Sequence, residues 1–114
     1  MPSPITTHVL NTAKGLPAVG MDVLLEYQDE NESWVVVGSG RTDDNGRMTN
    51  LLEDQQVRPG TYRIRFDTAA YFAQQGTTTF YPSIAVEFIM SNPQEHYHVP
   101  LLVSPFGYST YRGS

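Results

Sequence analysis

Short runs in which apolar and polar residues alternate, cut by turn signals about every ten residues, leave this chain few architectures. Met21, Val23, Leu25 and Tyr27 alternate with Asp22, Glu26 and Gln28, with only Leu24 breaking the outward side. Tyr62, Ile64 and Phe66 alternate with Arg63 and Arg65, and Ile84, Val86, Phe88 and Met90 share one parity. A period of two means strands with one buried face. The breakers between them are Asn11 to Pro17, Asp29 to Ser33, Thr42 to Gly46, Arg58-Pro59-Gly60 and Ser91 to Glu95. In the TDDNG turn, Asn45-Gly46 reads as a positive-φ pair. Thr68 to Gln75 is the one credible helix, stopped by Gly76. Strands are expected over Ile5–Asn11, Met21–Gln28, Trp34–Arg41, Thr61–Asp67, Ser83–Met90 and in a final hairpin from His96 to Arg112. That pattern predicts an all-β sandwich of two sheets with one short helix. Trp34, Tyr62, Phe66, Phe88 and Tyr97 are expected in its core, and Arg63 and Arg65 in solvent.

The 114 residues suit a single domain, 1–114. No apolar run approaches the roughly 18 residues of a membrane span, so no membrane association is expected. A net charge of -5 with no basic stripe argues against nucleic acid. The absence of cysteine excludes disulfides, thiolate metal sites and a cysteine nucleophile. The N-terminus carries no basic and apolar leader, so the expected location is cytoplasmic, or periplasmic if a signal peptide has been removed.

The terminal stretch HYHVPLLVSPFGYSTYRGS is the most unusual part of the chain. In its first strand His96, His98, Pro100 and Leu102 point one way, and Tyr97, Val99, Leu101 and Val103 the other. After a turn at Ser104 to Gly107, alternation puts Ser109 and Tyr111 on the imidazole side. His8 likewise lies opposite the core position Val9. A solvated sandwich face normally shows Lys, Glu and Thr. Imidazole, hydroxyl, proline and leucine instead suit a cleft or a subunit interface.

Three chemistries fit these residues. A histidine could serve as general base toward water, since its proton affinity lies near neutrality. His8, His96 and His98 could together bind zinc, although His-x-His alone is a weak signal. Ser109 or Ser114 could be a nucleophile, but no nucleophile-elbow motif accompanies either. Arg47, directly after the tight turn, could clamp a planar anionic or carbonyl-rich ligand. Arg112 reads as structural or as half of an interface ion pair. Asp43 and Asp44 read as turn formers rather than an acid/base pair.

ITTHVLNTAKGLPA near the start, TDDNGR mid-chain and HYHVPLLVSPFGYSTYRGS at the end resemble the 5-hydroxyisourate hydrolases, the transthyretin-related enzymes of urate breakdown. The resemblance runs along essentially the whole chain, and YRGS is its most specific element. It implies a transthyretin-like sandwich of two four-stranded sheets, assembled as a homotetramer, a dimer of dimers around a channel. It implies hydrolysis of 5-hydroxyisourate to 2-oxo-4-hydroxy-4-carboxy-5-ureidoimidazoline, with no organic cofactor and no metal. By the same resemblance His8, His98 and Arg47 are catalytic, Arg47, Tyr111 and Ser114 bind substrate, and His96 is a neighbour that binds or tunes. A binding module of the same fold, or a metal-dependent hydrolase, are the alternatives.

Overall fold

The computed structural model describes residues 4–52 and 57–114. The sequence reads Leu51 to Gly60 as an acidic connection ended by Arg58-Pro59-Gly60, and this stretch lies partly outside the described residues. Two sheets pack face to face. The first has the order β2 (Leu16–Pro17), β1 (Ile5–Asn11), β8 (Tyr97–Ser104), β9 (Gly107–Thr110), with β5 (Arg47–Met48) also paired to β1. The second runs β4 (Trp34–Arg41), β3 (Asp22–Gln28), β6 (Gly60–Phe66), β7 (Ile84–Met90). The expected sandwich is present. The two-residue strands β2 and β5 make its first sheet five-stranded rather than four-stranded.

Alternation decides the core. Ile5, Val9, Tyr97, Val99, Leu101 and Val103 of the first sheet face Val23, Leu25, Tyr62, Ile64, Phe66, Ile84 and Met90 of the second, and all are buried. Burying such side chains stabilises the fold by about 1.5–3 kcal/mol each. Helix α1 (Thr68–Ala73) follows β6. It is capped by Asp67, whose carboxylate accepts the Ala70 N–H, and it buries Tyr71 and Phe72. The helix ends at Ala73, two residues before the expected Gln75, and the chain leaves it through Gly76 at φ 67. Asn11 ties this helix to β1 by donating to the Tyr71 hydroxyl at 3.1 Å.

Three expectations need correction. Trp34 is not in the core. It pairs with Gln28 on the outer face of the second sheet, and the Arg63 guanidinium lies 4.0 Å over its ring. Arg63 is consequently not free in solvent, because its Nε also donates to the buried Glu26 at 2.8 Å. In the tight turn only Gly46 has positive φ, at 75°. Asn45 instead lends its backbone N–H to Asp43 at 2.9 Å, an Asx turn that leaves the left-handed conformation to glycine alone.

What positions the site is the pairing of β1 with β8. The two run parallel, in the register Thr6 with His98, His8 with Pro100 and Leu10 with Leu102. Side chains across a strand pair point to the same face. The outer face of the first sheet thus collects Thr6, His8 and His98. β5 adds to it from the other side of β1, because Arg47 stands opposite His8.

Candidate active site

His8, Arg47, His96, His98 and Ser114 line one cleft of about 270 Å³, together with Thr6, Thr7 and Thr49. Four separate parts of the chain therefore meet there: β1, the strand after the tight turn, the start of the last hairpin, and the C-terminus.

Each is held by local structure. Arg47 follows the TDDNG turn, whose Asp43 carboxylate accepts the N–H of Asn45 and the N–H of Arg47, both at 2.9 Å. These bonds, above all that from Arg47, hold the Asp43 carboxyl below its usual range, with the nearby charges of Arg47 and His8 adding a smaller pull. Asp43 is thus the turn former expected of it, and it fixes the backbone from which the guanidinium extends. Gly46 permits close passage: a side chain there would strike the Val9 carbonyl at 2.4 Å.

The C-terminus is brought back by one backbone bond. The Gly113 N–H donates to the His98 carbonyl at 2.8 Å, which places Ser114 against the cleft. A Cβ on Gly113 would lie 2.6 Å from the His98 ring, so the glycine is required for this approach.

Burial is the main influence on His98 and pushes its pKa below the ordinary imidazole value. The positive charges of His96, His8 and Arg47 push the same way. A neutral His98 at neutral pH is able to accept a proton from water. Its Nδ1 is engaged at 2.8 Å by the Thr6 hydroxyl, which leaves Nε2 for the cleft. That same hydroxyl lies 2.8 Å from Nε2 of His96. In the sequence Thr6 is an ordinary outward-facing threonine on a strand. Only the parallel register with His98 reveals it. Among the described residues, no group of three or more His, Asp or Glu side chains converges so as to hold a metal ion.

Tyr111 and Arg112 lie elsewhere. β9 ends at Thr110, and strict alternation fails beyond it. Tyr111 lines a second cleft with Val86, Phe88, Tyr97 and Val99, and is 57% exposed. Arg112 covers the Tyr97 ring at 4.6 Å and bonds Glu95 at 3.2 Å, in keeping with a structural part. Ser109, opposite Leu102, is exposed and lies outside the histidine cleft.

A model of the HIUase/Transthyretin family matches residues 5–113. A 5-hydroxyisourate hydrolase of Salmonella typhimurium is 46% identical over 110 residues, covering 96% of this chain and 80% of its own. One from Mus musculus is 43% identical over 113 residues, covering 98% and 96%. Among solved structures, Klebsiella pneumoniae 5-hydroxyisourate hydrolase matches with a TM-score of 0.83 at 30% identity, over 96% of this chain and 98% of that one. Sea bream transthyretin, solved with thyroxine, matches with a TM-score of 0.90 at 35% identity, over 96% and 94%. The backbone alone therefore does not separate a hydrolase from a transthyretin.

Proposed function

This chain belongs to the HIUase/transthyretin family, and we infer that within it the chain is a 5-hydroxyisourate hydrolase. The observation that carries this reading is the convergence of His8, Arg47, His96, His98 and the C-terminal Ser114 in one cleft. A carrier of a flat aromatic ligand has no use for three imidazoles and a guanidinium on one face. Opening a cyclic amide with water does: it needs a base, stabilisation of a developing oxyanion, and a clamp on a polar heterocycle.

In this mechanism His98, disposed to be neutral, takes a proton from the attacking water at Nε2. His8, on the same face, assists the departing ring nitrogen. Arg47 holds the carbonyl oxygens with its planar donors and stabilises the negative charge that builds on them. Ser114 orients the ligand from the terminus. No metal or organic cofactor takes part. The test is the ultraviolet signal of freshly generated 5-hydroxyisourate. An enzyme speeds its decay in proportion to protein concentration, with or without chelator. A carrier leaves the rate unchanged, and a metal enzyme loses activity on chelation.

A homotetramer, a dimer of dimers, accompanies this reading. The supporting features are two sheet edges and several apolar side chains left open. β7 and β9 end their sheets, and Ile89, Phe106, Leu16 and Val19 are exposed. Such edges call for cover. In the assembly Tyr111, remote from the cleft of its own chain, would act on substrate at a junction between subunits. Sedimentation tests this: a fully active monomer would refute it.

A further inference from the structure

One side chain at the cleft joins two others that do not bond each other directly. Thr6 is 4% exposed. Its hydroxyl sits 2.8 Å from His96 Nε2 and 2.8 Å from His98 Nδ1, while the two ring centroids are 6.3 Å apart. His96 is exposed and His98 half-buried. The order along the cleft wall is therefore exposed imidazole, hydroxyl, half-buried imidazole.

A hydroxyl has one hydrogen to give and lone pairs to accept with. With both rings neutral, Thr6 donates to one nitrogen and accepts N–H from the other. The two tautomers are locked in opposition. When His98 presents an unprotonated Nε2 to the cleft, its Nδ1–H donates to Thr6, and Thr6 donates to His96. When Thr6 donates to His98 instead, His98 carries its proton on Nε2 and His96 donates to Thr6.

We propose that Thr6 is a positioning residue that relays protons between half-buried His98 and exposed His96 along the wall of the cleft. The proposal rests on the hydrolase reading above. As His98 Nε2 takes a proton from water, the Nδ1–H bond breaks and that proton passes to the Thr6 oxygen. The Thr6 hydrogen passes to His96 Nε2. One proton enters the chain and none is lost, and the positive charge comes to rest on exposed His96. Without the relay the charge stays on His98, less hydrated and facing Arg47 of β5, His8 of β1 and the terminal Ser114. The reverse transfer puts a proton back on Nδ1 as Nε2 gives up its own, which resets His98 for the next turnover.

The test compares Thr6→Val, which removes the hydroxyl but keeps the shape, with Thr6→Ser, which keeps the hydroxyl. Thr6→Val is expected to lower kcat by at least about tenfold with KM nearly unchanged. Thr6→Ser should restore kcat to within about threefold of the wild type. A folded Thr6→Val with wild-type kcat, or a Thr6→Ser as slow as Thr6→Val, overturns the relay. Should Thr6→Val not fold, nitrogen-15 NMR of the histidines in the wild type decides. One of His96 Nε2 and His98 Nδ1 should carry a proton at neutral pH and the other should not; the same state at both overturns the proposal. If the wild type does not hydrolyse 5-hydroxyisourate at all, the functional reading falls and the relay's catalytic role with it. Complementary tautomers in that case would retain only the hydrogen-bonded chain.

Discussion

Gly113 lies against His98 in two ways at once: its N–H donates to the His98 carbonyl at 2.8 Å, and its Cα passes so close that a Cβ would sit 2.6 Å from ring carbon Cδ2. The bond seats the C-terminus in the cleft, and the missing side chain allows the ring to stay where Thr6 holds it. Gly113→Ala should displace the tail or the imidazole. A shift of about 1 Å at a reacting group is enough for a loss of about 10²-fold in kcat/KM. The core does not involve this residue, so the melting temperature should barely move. Steady-state kinetics beside a thermal melt check both. Wild-type kcat/KM in Gly113→Ala would show that the tail has no part in the site.

Asp43 acts on Arg47 through the backbone. Asp43→Ala removes the acceptor for two N–H groups and frees the turn from which the guanidinium reaches the cleft. kcat/KM is expected to fall by about tenfold. Asp43→Asn keeps an acceptor oxygen and should recover much of the loss. Equal defects in Asp43→Ala and Asp43→Asn would mean that charge, not turn geometry, is what Asp43 supplies.

The lowered pKa of His98 has a definite sign. A depressed value keeps the ring neutral, so kcat/KM should be level near neutrality and fall on acidification through a pKa below about 6.5. On acidification the unfolded chain takes up the proton first. The stability His98 contributes is therefore present above about pH 6.5 and is lost as pH falls through the folded value. Rate profiles and melts from about pH 5 to about pH 8.5 measure both. An acid limb centred above the ordinary imidazole value would contradict the assignment of burial as the main cause.

The outer face of the second sheet serves stability. Glu26 is 7% exposed and accepts from Arg63, which in turn lies over Trp34. Glu26→Ala leaves that guanidinium without its carboxylate and should destabilise the fold by about 2 kcal/mol. For a chain of this size that is a drop of roughly 10 °C in Tm. Turnover measured well below the transition should stay within about twofold of the wild type. A large loss of turnover with an unchanged Tm would place this face in the function.

Alternation made most of this legible in sequence. It identifies the long strands, the inward residues of β3, β6 and β7, and the common side of His96 and His98, because a period of two survives without knowledge of neighbours. It was silent on what depends on pairing. Thr6 comes into play only because β1 and β8 run parallel in a register that sets it beside His98. Arg47 stands out in sequence by its place after a turn; that it stands opposite His8 follows from a two-residue strand too short to read. Alternation alone puts Tyr111 on the imidazole side, because nothing in the residues announces that β9 ends at Thr110. Trp34 looked like core because size suggests burial, whereas Arg63 gave it a partner on the outside.

The most direct measurement is the initial rate of 5-hydroxyisourate decay with the wild type, His8→Ala, His98→Ala and, as a control, Arg65→Ala on the exposed face of the other sheet. The wild type and Arg65→Ala should accelerate decay alike. His8→Ala and His98→Ala should each lose about 10²- to 10⁴-fold. Full turnover in either histidine variant would contradict the role given to that histidine in the cleft.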